Sequence, residues 1–149
     1  MENRYLYKAK TTHKEGKEFD NVWVKGSLII ARNKYYIHPV GNAVNVEKEL
    51  GKLVIMHEVD PSTICQCTGM KDKNGKLIWE NDIVNCITTD CEEYARQIVY
   101  DKEELDFKAT NGKEDYGSEF EYLSCLVEIE VTGNVFDNPE LLDGKVNDD

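Results

Sequence analysis

Long apolar runs are missing from this sequence. No stretch approaches the ~20 consecutive apolar residues that a bilayer-spanning helix needs. The opening MENRYLYKAKTTHK has no apolar core of the signal-peptide kind. The expectation is a cytoplasmic chain with no membrane association. Histidine is scarce, at three residues (His13, His38 and His57), and none has an acid or a nucleophile beside it at a spacing that suggests a relay. There is no Gly-x-Ser-x-Gly elbow, and Gly69 and Gly75 are not followed by the Lys-Ser/Thr of a phosphate-cradling loop. Internal repeats and low-complexity linkers are absent as well. With no motif for nucleophilic or phosphoryl chemistry, no catalytic residue is assigned.

Complete disulfide pairing is also excluded, because the five cysteines (Cys65, Cys67, Cys86, Cys91 and Cys125) are odd in number. Without an export signal they are read as reduced thiols in packing positions. Cys65-x-Cys67 with His57 would offer two thiolates and an imidazole, but structural zinc sites normally use two such pairs. Cys86-x₄-Cys91 is too loosely spaced to be the second. Asp72, Asp82 and Asp101 form a conceivable carboxylate cluster for a divalent cation, although Asp72 and Asp82 are explained more simply as turn residues. No metal and no cofactor is assigned.

Positive charge is short overall: 18 Lys and Arg stand against 29 Asp and Glu, a net charge of -11. The deficit is uneven. Residues 1–75 carry 12 basic and 9 acidic side chains, and residues 76–149 carry 6 and 20. Nucleic-acid binding by the second half is not expected, since phosphate contacts need cations. An acidic half suits a basic protein partner, and two halves of opposite sign suit head-to-tail contact between copies, hence a homo-oligomer.

What is present is strand signal. Asn21–Ile30 (NVWVKGSLII) reads as a strand whose Gly26 marks a bulge or a close backbone approach. A turn at Ala31–Lys34, with Asn33 left-handed, returns it into Tyr35–His38. Val44–Leu50 reads as a short helical turn and Leu53–Val59 as a strand. In Ser62–Thr68 the alternation places Thr63, Cys65 and Cys67 on one face. Asp72-Lys73-Asn74-Gly75 is a hairpin connection leading to Leu77–Trp79, with Trp79 in the core, and Asn81 is expected at positive φ before Ile83–Thr88. Gln97–Tyr100 and Phe107–Thr110 follow, with a turn at Asn111–Gly112. Ser118-x-x-Glu121 has the form of a capping box and predicts a helical turn over Glu119–Leu123. Leu126–Phe136 is the cleanest strand, with Val127, Ile129 and Val131 inward. Asn138-Pro139-Glu140-Leu141-Leu142 is a capped turn.

Several of these segments together resemble a known family. Val59-Asp60-Pro61 and the run Thr63–Val84 (TICQCTGMKDKNGKLIWENDIV) resemble the core motif of the YopX family, and Val131–Leu142 (VTGNVFDNPELL) resembles its closing motif. Trp23-Val24-Lys25-Gly26 and Tyr35-Tyr36-Ile37 fall where that family has a Trp-x-x-Gly strand and its following hairpin. The chain departs from the pattern at Cys65 and Cys67, where the family has Gly and Tyr, at Tyr7–Lys10, and throughout Cys91–Tyr122. The resemblance implies a phage or prophage source, hence a bacterial host cell, and no assigned activity. It also implies a mainly β fold with an SH3-like barrel in the second half. With the strand and turn signals, which indicate a barrel or a pair of sheets, the expectation is an N-terminal β-hairpin and meander over 1–67, packed with the barrel over 68–142, few short helical turns, and a frayed tail over 143–149.

The functional expectation is a non-enzymatic binding or accessory module that contacts another protein. Its candidate surface is the aromatic set of the acidic half, Tyr94, Tyr100, Tyr116 and Tyr122. Two alternatives stand beside it: an acidic decoy that occupies the nucleic-acid site of a host enzyme, and a metal-dependent hydrolase using Asp72, Asp82 or Asp101.

Overall fold

In a computed structural model the description covers residues 5–12, 21–39 and 56–143. Two compact units divide the chain, Met1–Cys67 and Thr68–Asp149. Both are built from antiparallel strands, so the chain is mainly β. Among the described residues, no helix is long and apolar enough to cross a membrane.

The first unit contains β1 (Tyr7–Lys10), β2 (Trp23–Ala31), β3 (Lys34–Pro39), β4 (His57–Glu58) and the start of β5 (Cys65–Lys71), in the order β4-β3-β2-β1-β5. The β2–β3 hairpin turns on Arg32 and Asn33, at φ 52° and 63°, the double left-handed turn that matches strand twist. Gly26 sits opposite Tyr7 on one side and Pro39 on the other. A Cβ there would lie 1.9 Å from the His38 carbonyl oxygen, so the close approach expected from the sequence is real. Alternate positions fill the core: Ala9, Ile37 and Val59 are buried, with Tyr7, Val24, Leu28, Tyr35 and Ile64 against them. On the other face, the Lys8 and Lys10 ammonium groups stand 4.8 and 5.4 Å from the Trp23 ring centre. The expected helical turn at Val44–Leu50, the beginning of the Leu53–Val59 strand, and residues 144–149 of the expected tail lie outside the described residues.

In the second unit the end of β5 pairs with β6 (Leu77–Trp79), and a five-stranded sheet runs β10-β9-β8-β7-β11. Its members are β7 (Asp82–Ile87), β8 (Glu93–Asp101), β9 (Asp106–Thr110), β10 (Phe120–Tyr122) and β11 (Glu128–Asn134). Strands β10 and β11 are its two ends, and no closed barrel forms among the described residues. Ile78, Val84, Cys86, Ile98, Ala109, Leu123 and Ile129 make the core; burying each Ile or Val contributes roughly 1.5–3 kcal/mol. Trp79 is buried as expected, and its backbone N–H donates to Asp82 Oδ2 at 2.8 Å across Asn81, which sits at φ 70°.

Three local expectations are corrected. Residues 120–122 are a strand, because pairing with β9 (Phe120 opposite Thr110, Tyr122 opposite Lys108) outweighs the capping-box pattern; a single 3₁₀ turn at Leu123–Cys125 follows. Val127 is exposed, because β11 begins one residue later and Ile129 is its first buried position. Cys91 and Cys125 are exposed thiols, whereas Cys65, Cys67 and Cys86 occupy the packing positions expected of all five. The closing motif is a turn that ties itself together. Asn134 Oδ1 accepts from Phe136 N and Asp137 N at 3.0 and 2.9 Å, and helix α1 (Glu140–Asp143) follows Pro139.

Candidate functional site: a lysine caged by rings and carboxylates

The β8–β9 hairpin sets Asp101 opposite Asp106 and Val99 opposite Lys108. Directly opposed residues share a face, so Asp101, Asp106, Lys108, Phe120 and Tyr122 all stand on one face of the sheet. Ile98, Phe107 and Ala109 occupy the other face and enter the core. The connection 102–105 turns because Asp101 Oδ1 accepts from Glu103 N and Glu104 N at 2.8 and 3.2 Å. That geometry brings the Glu104 carboxylate back over the sheet to Lys108 and Tyr122.

Lys108 is the centre of the arrangement, with its side chain 1% exposed. Its ammonium donates to Asp101 Oδ2 and lies 3.1 Å from Glu104 Oε1 and 3.6 Å from Asp106 Oδ1. The ring centres of Phe120 and Tyr122 are 4.9 and 5.3 Å away, at cation–π distance. These two rings meet edge-on at 5.3 Å, and Tyr116 meets Phe120 at 5.6 Å. Tyr116 and Tyr122 then clamp the carboxylates, donating to Asp101 Oδ2 at 2.9 Å and Glu104 Oε2 at 3.0 Å.

The electrostatics favour the charged forms. Burial works to lower the Lys108 pKa, but hydrogen bonds to Asp101 and Glu104 more than offset it and hold the ammonium above the usual lysine range. Lys108, followed by the N–H groups of Glu104 and Glu103, holds Asp101 well below the usual carboxylate range. A general base or a nucleophilic amine needs its neutral form near working pH, and this lysine is driven away from it. What the arrangement presents outward is a ring-and-carboxylate surface.

Asp106 and Tyr122 also line a pocket of about 200 Å³, walled by Met70, Phe107 and Leu123, with Ser124 at its edge. That volume is below the roughly 300–1,000 Å³ of most small-molecule sites.

The tyrosines singled out from the sequence divide between the two faces. Tyr116 and Tyr122 come together through Phe120. Tyr94 and Tyr100 lie on the core-facing side: Tyr100 packs on Phe107 at 5.2 Å, and the Arg96 guanidinium stands 4.5 Å over Tyr94 while pairing with Glu121 at 2.9 Å. Nearby, burial and then the Glu121 charge push the Cys86 thiol up to about 11. The three aspartates do not converge. Asp72 accepts backbone N–H groups from Asn74, Lys76 and Val131, Asp82 accepts Trp79 N–H, and Asp101 belongs to the cage. Among the described residues no group of three or more His, Cys, Asp or Glu side chains is placed to hold a metal ion. Lys108 and Phe120 were not among the sequence candidates; the (i, i+4) pair Glu104–Lys108 was the available signal.

The YopX protein family matches residues 3–143. Among solved structures, the crystal structure of protein yopX from Bacillus subtilis is similar, at 20% identity and TM-score 0.49, over 93% of this chain and 98% of that one. No curated protein matches the sequence.

Proposed function

The chain belongs to the YopX family, and from that premise we propose that it is a non-enzymatic binding or accessory module of phage or prophage origin. It works in the bacterial cytoplasm by contacting a basic segment of another protein. The contact surface is the face of the second unit that carries Tyr116, Phe120 and Tyr122 with the carboxylates of Asp101, Glu103 and Glu104.

One observation carries this reading: Lys108 is held by the chemistry that a bound cation would need. Three carboxylates and two ring faces surround one ammonium, and the tyrosines that complete the surface are oriented by their own hydrogen bonds. Rings held in place lose little entropy on binding, and aromatic anchors with an acidic rim favour basic segments. The strong pKa shifts at Lys108 and Asp101 stabilise the charged form of both groups, which disfavours either as a proton-transfer group.

The test is affinity capture from lysogenic cells with the parent protein, a face variant (Glu103→Lys with Glu104→Lys) and a first-unit variant (Lys25→Glu). A partner retained by the parent and the Lys25 variant but lost by the face variant supports the reading. Recovery of no face-dependent partner overturns it.

A further inference from the structure

We propose that the pocket beside Asp106 receives the side chain of one lysine or arginine of the protein partner. The inference rests on the binding reading above and adds to it the specific socket and the residue that fills it.

Three observations point to that occupant. The first is Asp106 itself. Its Oδ1 turns inward and is ion-paired with Lys108 Nζ at 3.6 Å, beyond hydrogen-bond length, while the side chain as a whole stays 35% exposed on a residue that lines the pocket. Lys108 directs its short contacts to Asp101 and Glu104 instead. Asp106 is thus the carboxylate of the three that Lys108 engages most weakly, and the exposed part of its side chain is what an incoming cation can reach. The Thr68 hydroxyl in the same pocket is committed to the Ile78 carbonyl at 2.7 Å, which leaves Asp106 as the charged acceptor there.

The second is shape. A volume of about 200 Å³ walled by Met70, Phe107 and Leu123 fits a single extended side chain with an apolar stem. Lysine and arginine bury such stems while keeping a polar head at a charged partner. The Tyr122 ring is shared with the cage, where it already faces an ammonium.

The third is charge. Residues 101–108 carry Asp101, Glu103, Glu104 and Asp106 against Lys102 and Lys108. An anionic occupant would meet repulsion. A neutral apolar one would strip water from the exposed part of the Asp106 carboxylate and return no hydrogen bond.

The experiment titrates the full ¹⁵N-labelled chain with acetyl-Gly-Arg-Gly-amide, its lysine counterpart, its citrulline counterpart and pentalysine. Citrulline keeps the shape of arginine and removes its charge. The expected result is saturable amide shifts at Met70, Phe107 and Tyr122–Ser124 with the arginine and lysine peptides, and binding weaker by about tenfold or more with citrulline. Asp106→Asn is expected to weaken arginine binding by about tenfold. Ser124→Trp, which fills the pocket from an exposed position away from the Lys108 ion pairs, is expected to do the same and guards against misfolding of the Asp106 variant. Absence of saturable shifts, equal binding of citrulline, or binding that survives both variants overturns the socket. If the tripeptides fail in one of these ways while pentalysine still binds on the Tyr116–Tyr122 face, the socket falls and the broader reading stands. If pentalysine fails as well, both fall.

Discussion

Tyr116 donates its phenol hydrogen to Asp101 Oδ2 at 2.9 Å, on the same carboxylate oxygen that receives the Lys108 ammonium. One oxygen therefore joins the connection after β9, the β8–β9 hairpin and a buried lysine. The Tyr116 phenol is itself held above its usual range, first by that hydrogen bond and then by burial, the phenolate form being disfavoured beside a carboxylate.

Replacing Lys108 by Met should lower the melting temperature at pH 7, and the gap from the parent should narrow in acid. The sign follows from Asp101, whose folded pKa is depressed by Lys108. Its contribution is present above the unfolded value of about 3.9 and is lost as pH falls through the lower folded value. Melting curves of both proteins between pH 7 and pH 3 check this; a gap that widens in acid would contradict it.

Asp72→Ala should destabilise the second unit by about 2–4 kcal/mol, since it strips the acceptor from three backbone N–H groups. Burial opposes ionisation of this carboxylate, but the N–H groups of Val131, Lys76 and Asn74 outweigh it and lower its pKa. Asp72→Asn keeps one oxygen acceptor and should lose about half as much. Urea unfolding with an unchanged slope measures both.

Of the five thiols, Cys91 and Cys125 should react rapidly with Ellman's reagent in the native protein, and Cys65, Cys67 and Cys86 only after denaturation. Cys86 also contributes a pH dependence of opposite direction to that of Asp101. Its folded pKa of about 11 lies above the unfolded thiol value, so its share of stability is full below about pH 8.5 and is lost as pH rises towards 11. Cys86→Ala should remove that share of the alkaline loss.

Gly26→Ala should destabilise the first unit by at least about 2 kcal/mol, because the added methyl meets the His38 carbonyl oxygen at 1.9 Å. Faster hydrogen exchange of the β2–β3 amides, with the amides of β8 and β9 unaffected, is the expected signature.

Backbone punctuation was the legible part of the sequence. Gly26, Asn33, Gly75 and Asn81 each need a left-handed angle or a close approach that few residue types tolerate, so they announce themselves one at a time. The cage was not legible, because no local rule buries a lysine. Lys108 is covered by carboxylates from a hairpin loop and by rings from a strand that the capping-box pattern of Ser118–Glu121 disguised as a helical turn. Strand β9 also lacks alternation, since Lys108, Ala109 and Thr110 are buried in succession. The four tyrosines were visible as residues; their division between two faces depends on a pairing register that composition does not carry.

The bond from Asp72 to Val131 spans 59 positions of chain, and that separation sets a schedule for synthesis. The β5–β6 hairpin leaves the ribosome with its aspartate already gathering the N–H groups of Asn74 and Lys76, but the third donor arrives only with β11. Until then β7 also lacks one neighbour along its length. Long-range pairing of this kind closes late, so a nascent or truncated chain ending before β11 exposes an open sheet edge to whatever else is in the cell.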